Sequence, residues 1–125
     1  MRPLTGFAGE VHEALRRALG PVLGKPMFGG AGFYLDGAFF ALVFKDRVYF
    51  RVDEASRAEY EARGMEAFRP FATKRTSLRY HELPPDVLED LRTLKRWGLR
   101  AVEAARAEPA RARARKKAPS RRSRR

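Results

Sequence analysis

Met27-Phe28-Gly29-Gly30-Ala31-Gly32-Phe33-Tyr34-Leu35-Asp36-Gly37-Ala38-Phe39-Phe40-Ala41-Leu42-Val43-Phe44-Lys45-Asp46-Arg47-Val48-Tyr49-Phe50-Arg51-Val52-Asp53 is the stretch whose reading decides the fold. Asp36-Gly37 tolerates positive φ and is flanked by apolar runs, the strongest short-range signal for a hairpin. A second turn falls at Lys45-Asp46, between Phe44 and Val48. Three successive antiparallel strands follow from these two turns. In the third, strict alternation sends Val48, Phe50 and Val52 to one side and Tyr49 and Arg51 to the other. Such a sheet buries one face and leaves the other to water or a partner.

Upstream, residues 7–19 carry an apolar stripe of Val11, Ala14, Leu15 and Ala18, with Glu10, Glu13, Arg16 and Arg17 lying away from it, as an amphipathic helix requires. Gly20-Pro21 ends that helix, and Val22 to Pro26 reads as a crossing loop. His12 falls on the polar side and reads as solvated, because no second ligand accompanies it. Gly29-Gly30-Ala31-Gly32 precedes a strand and not a helix, and no Gly-Lys-Ser/Thr follows. A phosphate loop needs a helix N-terminus behind the glycines, so these glycines read as a bulge or a close backbone approach.

Downstream, Asp53 is placed to cap a short, highly charged helix at Glu54–Arg63, with Gly64 in the left-handed cap position. That helix is expected to ride the sheet edge. Phe68–Phe71 and Ser77–His81 are candidate strands joined by a basic turn at Ala72–Thr76, and Pro70 confines the first of them to an edge. Pro84-Pro85 opens a helical segment whose stripe is Val87, Leu88, Leu91, Leu94, Trp97, Ala101 and Val102, with Asp90 placed to re-cap it. The segment is expected to end near Glu108-Pro109, since proline restricts the residue before it.

The resulting architecture is a two-layer α+β domain in the order α-β-β-β-α-β-β-α, with a five-stranded, mostly antiparallel sheet and helices on one face. Its boundaries are residues 1–107. Residues 108–125 form an Arg/Lys-rich tail with no large apolar side chain, expected to be disordered alone.

Met27-Phe28-Gly29-Gly30, Gly32-Phe33-Tyr34-Leu35-Asp36-Gly37, Phe40-Ala41-Leu42, Val48-Tyr49-Phe50-Arg51-Val52-Asp53 and Arg57 resemble the N-terminal domain of the TfoX/Sxy family. Tyr80, Glu82-Leu83-Pro84, Val87-Leu88-Glu89-Asp90 and Trp97 resemble its second half, in collinear order over residues 10–106. The resemblance implies an antiparallel sheet with helices on one face, and either a regulator of natural competence or a stand-alone copy of the domain. In place of the second domain of full-length competence regulators stands the Arg-rich tail. The family supplies no catalytic residues to carry over.

Composition bounds the remainder. The 125 residues are 44% hydrophobic, enough for one modest core, and contain no cysteine, which excludes disulfides and thiolate metal sites. No secretory leader and no membrane-spanning run is apparent, so the expectation is a cytoplasmic protein without a membrane partner. The absence of Asn and Gln together with an Arg excess suits a hot environment, and a GC-rich genome produces the same Arg and Ala excess.

The net charge of +12 is unevenly placed: residues 1–108 hold 18 Lys+Arg against 15 Asp+Glu, whereas residues 109–125 hold 9 Lys+Arg and no acid. Two histidines and four serines offer no nucleophile–base set, and His81 and Glu82, as strand neighbours, point to opposite faces. The reading is therefore non-enzymatic, with no cofactor and no metal. Two surfaces are candidates for binding. The outer sheet face collects Tyr49, Arg51, Arg79, His81, Tyr34 and Arg69, suited to nucleic acid, to a homodimer contact or to plain solvation. The tail residues Arg111, Arg113, Arg115, Lys116, Lys117, Arg121, Arg122, Arg124 and Arg125 are suited to weak, sequence-independent DNA or RNA binding. The expected function is a regulatory or adaptor protein with an unidentified protein partner. The alternative is a small-molecule or peptide-binding domain with its pocket between the sheet and the C-terminal helix, Trp97 reporting on it, and a solubilising tail.

Overall fold

Both central residues of both tight turns take positive φ: Asp36 and Gly37 at 50° and 82°, Lys45 and Asp46 at 53° and 60°. That is the backbone a type I′ turn demands, and its twist matches that of the strands it joins. A computed structural model describes residues 4–27, 29–69 and 77–117 of the chain. Around the two turns stand β1 (Leu23–Met27), β2 (Gly30–Leu35), β3 (Ala38–Phe44) and β4 (Arg47–Arg51), then β5 (Ala67–Phe68) and β6 (Ser77–Glu82). The sheet order is β1-β2-β3-β4-β6-β5, with every neighbouring pair antiparallel.

The sheet has six strands where five were expected. The addition is β1, over residues expected to form a crossing loop and punctuated by Gly24 and Pro26. Its pairing with β2 runs from Leu23↔Tyr34 to Met27↔Gly30, and as an edge strand it tolerates a proline that cannot donate. Gly30 is the close approach: a Cβ there would lie 1.9 Å from the Val43 carbonyl oxygen. β5 stops at Phe68; Pro70, Phe71 and the turn at Ala72–Thr76 lie outside the described residues.

Helices α1 (Gly6–Leu19), α2 (Glu54–Ala62), α3 (Pro85–Glu89) and α4 (Leu91–Lys117) contribute to one face. Val11 and Leu15 of α1, Tyr60 of α2, Val87 of α3, and Leu94, Trp97, Ala101 and Val102 of α4 pack on Phe33, Phe40, Phe50 and their neighbours. Gly98 lets α1 approach α4, since a Cβ there would stand 2.9 Å from Leu19 Cδ1. The role expected of α2 needs correction: Tyr60 is 2% exposed, and its ring meets Trp97 at 4.8 Å. Asp53 and Ser56 form the reciprocal cap of α2, with Ser56 N–H donating to Asp53 Oδ1 at 2.8 Å and Asp53 N–H donating to Ser56 Oγ at 3.0 Å.

Asp90 breaks the C-terminal segment as the sequence suggests. It accepts from Thr93 Oγ1 at 2.5 Å, and its carbonyl accepts from Leu94 N–H. Helix α4 then runs 27 residues, passing Pro109 instead of ending there. An interior proline gives up its own bond to the preceding turn and crowds the carbonyl four residues back, and it is the Ala, Arg and Lys on either side of Pro109, strong helix formers, that carry the helix past it. His12 also departs from expectation. It is half-buried, Nε2 lies 2.8 Å from the Val22 carbonyl, and the ring sits 5.6 Å from Phe33, so it ties α1 to the residue that leads into β1 and to β2.

A bulge sets which side chains face where. Phe33 pairs with Ala41 and Tyr34 with Phe39, leaving Phe40 as the extra residue. Phe40 and Ala41 therefore both turn toward the helices, while Phe39 and Leu42 face the other way.

Candidate functional site

The face turned away from the helices carries its own apolar cluster: Leu42, Tyr49 and Tyr80, with Phe39, Phe44 and Phe68 packed against them and no helix residue among them. Alternation on β2, β3, β4 and β6 places these residues, and the bulge keeps Phe39 and Leu42 on the same side. Two aromatic runs cross the face. Tyr34 stacks on Phe39 at 5.0 Å, and Phe39 meets Tyr80 at 5.6 Å. Phe68 meets Tyr49 edge-on at 4.9 Å and Phe44 at 5.6 Å. Between the runs lies an open cavity of about 170 Å³ lined by Met27, Phe39, Leu42, Val43, Phe44, Phe68 and Tyr80. Gly32 belongs to this face. A Cβ there would fall 2.7 Å from Met27 Cε and 2.9 Å from Phe39 Cε1, so the missing side chain is what lets those two lie down over the strand.

Cations border the cluster. Lys25 Nζ lies 5.2 Å above the Tyr34 ring, Lys45 Nζ 5.5 Å from Phe44, and the Arg51 guanidinium 5.7 Å from Tyr80. Arg47 donates to both carboxylate oxygens of Glu82 at 3.0 and 3.2 Å, which raises its own pKa further. Beyond Phe68 a polar cleft holds Arg47, Tyr49, Glu66, Arg69 and Glu82. Burial pushes the Tyr49 and Tyr80 phenols up, with the Glu82 charge adding to the first and Arg51 opposing in the second. Both hydroxyls stay protonated at neutral pH, and that of Tyr80 donates to the Phe39 carbonyl at 3.3 Å.

Of the residues expected on this face, Tyr34, Tyr49 and Arg51 are there, and Arg69 stands exposed at its β5 border. Arg79 and His81 are not. The β4–β6 ladder pairs Arg51 with Tyr80 and Phe50 with His81, so Tyr80 faces outward and His81 turns in under the helices, 2% exposed. Arg79 shares the parity of His81 and is exposed in the middle of β6. Sequence reasoning missed Tyr80, Phe39, Phe44 and Phe68 as members of the face. The signal was the count of aromatics on β3, where Phe39, Phe40 and Phe44 exceed what one core layer needs. The seam between the sheet and α4, expected to hold a pocket, is filled instead by Phe40, Leu94 and Trp97, each 3% exposed or less, so the cavity lies on the opposite side. The tail residues Arg111, Arg113, Arg115, Lys116 and Lys117 have helical backbone within α4; Arg121, Arg122, Arg124 and Arg125 lie outside the described residues.

Among the described residues, no three His, Asp or Glu side chains converge as a metal site, and no helix is long and apolar enough to cross a membrane. An antiparallel sheet with its helices on one side and an aromatic face with a cavity on the other defines a small α+β domain. The family model of the TfoX N-terminal domain matches residues 13–105, and the chain belongs to that family. A search of curated proteins finds no match for it.

Proposed function

We propose that the protein is a non-enzymatic regulatory or adaptor domain whose outer sheet face docks a protein partner, and whose basic tail adds weak, sequence-independent attraction to nucleic acid. One observation carries the docking part: six large apolar and aromatic side chains and a cavity sit on a sheet face that no described helix covers. Leu42, Tyr49 and Tyr80 are buried within the cluster and Phe39, Phe44 and Phe68 are half-buried, so the apolar area on offer is that of the open cavity. An apolar cavity bordered by polar groups suits an interaction surface. A photo-crosslinking residue at position 39 in the full chain, irradiated in cells, tests it. A protein adduct lost on moving the crosslinker to exposed Glu103 supports the reading; equal adducts from both positions refute it.

The cavity also favours a second reading, a domain that takes a small apolar ligand. A thermal-shift screen in which hydrophobic fragments raise the melting temperature of the wild type but not of Leu42→Trp would support it.

A further inference from the structure

We infer that the outer face recognises a peptide segment that inserts one bulky apolar side chain into the cavity and flanks it with carboxylates. This rests on the adaptor reading and names the chemistry of its partner. The cavity of about 170 Å³ admits a single side chain of Phe or Leu size, since a void of roughly 150 Å³ accommodates a benzene-sized group. Its wall offers no uncommitted polar atom from Tyr80, whose hydroxyl is engaged by the Phe39 carbonyl. A nucleobase placed there would lose its hydrogen bonds to water without replacement. The ring faces a base would need for stacking are also taken, because Tyr34 lies against Phe39 and carries Lys25 above it, and Lys45 covers Phe44.

Charge selects the flank. Lys25 stands on the β1 edge, Lys45 on the β3–β4 turn and Arg69 just past β5, so the cations bracket the cavity from both edges and one end. All three are exposed, and none is paired with a carboxylate among the described residues. Of the acids nearby, Glu82 is held by Arg47, Glu66 lines the polar cleft with Arg69, and Asp46 follows Lys45 on the turn, against the five cations Lys25, Lys45, Arg47, Arg51 and Arg69. The excess around the face is positive, so a second copy presenting the same face would meet like charge, which opposes it as the occupant. Apolar contact supplies the anchor and the cation ring supplies orientation and on-rate.

The test uses the full chain and three fluorescein-labelled nonapeptides: one Phe flanked by four Asp on each side, the same peptide with Ala for Phe, and the same peptide with Lys for Asp. Anisotropy at low salt should show the first bound at least tenfold more tightly than the second and third. The triple reversal Lys25→Glu/Lys45→Glu/Arg69→Glu, all surface positions, should cost a further tenfold for the first peptide with the circular dichroism unchanged. Leu42→Trp, which fills the cavity, should erase the preference for Phe over Ala. Equal binding of Phe and Ala peptides, or indifference to charge reversal, overturns the inference. If no peptide binds while position 39 still crosslinks to a protein in cells, this inference falls and the adaptor reading stands. If neither occurs, both fall. Concentration-dependent dimerisation abolished by Leu42→Trp would instead assign the face to a second copy and overturn the peptide.

Discussion

His81 Nε2 on β6 lies 3.6 Å from the Glu61 carboxylate on α2, an inward-turned strand residue reaching a half-exposed helix residue. The contact fastens α2 to the sheet beside the Tyr60 ring, 6.1 Å away. The imidazole Nδ1 is buried with no hydrogen-bond partner among the described residues. Burial lowers the His81 pKa below its ordinary 6.5; Glu61 opposes the shift and Arg57 adds to it. A histidine whose folded pKa is depressed binds its proton more readily in the unfolded chain. Stability contributed by the neutral ring is therefore complete above pH 6.5 and is lost as the pH falls from 6.5 toward the folded value. The melting temperature should be level from pH 8 to 7 and decline between pH 6.5 and 5. In His81→Phe the decline over that window should flatten. A slope unchanged by the substitution would remove His81 as its source. The Asp86 carboxylate, held low by Arg63, acts below about pH 4, well clear of this window.

The turn regions allow two kinds of glycine to be told apart. At Gly30 the backbone angle is ordinary but a Cβ would collide with the Val43 carbonyl, a rigid part of the neighbouring strand. At Gly37 φ is +82° and nothing lies within 4 Å of where a Cβ would go. Gly37→Ala should cost about 1 kcal/mol, the ordinary charge for a left-handed non-glycine residue. Gly30→Ala must push β2 and β3 apart and should cost about 3 kcal/mol, at the upper end of overpacking. Urea unfolding of the two variants checks the order, which reverses if strand separation is easily absorbed.

These cases separate what the sequence specifies locally from what it specifies only through pairing with distant strands. Turns and caps are local, set by a few neighbouring residues, and Asp36-Gly37, Lys45-Asp46, Asp53 and Asp90 were all legible. What depends on a distant strand was not. Leu23–Met27 has the punctuation of a loop and becomes a strand only because Tyr34 to Gly30 are there to pair with it. On β6 Arg79 and His81 are expected on the outer face, the assignment that polarity favours. The ladder reverses it, because a tyrosine ring is at home in an aromatic outer face and a neutral imidazole can be buried beside a carboxylate. The site followed the same division: Tyr34, Tyr49 and Arg51 were identified from β2 and β4, but the cavity required knowing that the β3 bulge sets Phe39 beside Tyr80.

The Asp53–Ser56 cap is reciprocal, so its members should not act additively. Asp53→Ala removes the acceptor for Ser56 N–H and should cost about 1 kcal/mol, the usual value for an N-cap. Ser56→Ala leaves Asp53 N–H without its bond to Oγ and should cost somewhat less. The double variant should cost less than the sum, because Ser56 Oγ also donates to Asp53 Oδ1 at 3.0 Å and each single change already loses that bond. Chemical denaturation of the four proteins closes the cycle, and simple additivity would show that the hydroxyl–carboxylate bond contributes nothing.

Helix α4 carries its backbone to Lys117, so Arg111, Arg113, Arg115, Lys116 and Lys117 fall within about 9 Å of helix axis at 1.5 Å per residue. Duplex DNA presents a charge roughly every 1.7 Å, a density that this segment and the four arginines after it can engage without any defined docking geometry. If about five to seven of the nine cations neutralise phosphates, the logarithm of affinity should fall with that of salt at a slope of roughly −4 to −6. Duplex DNA of unrelated sequences, and RNA, should bind within a few-fold of one another, because backbone contacts carry no base information. Replacing the nine tail cations with Gln leaves the +3 body and should bring the slope to about −1 or shallower. Equal slopes for the two proteins would transfer nucleic-acid binding from the tail to the folded body, where the cations around the aromatic face would be the first to examine.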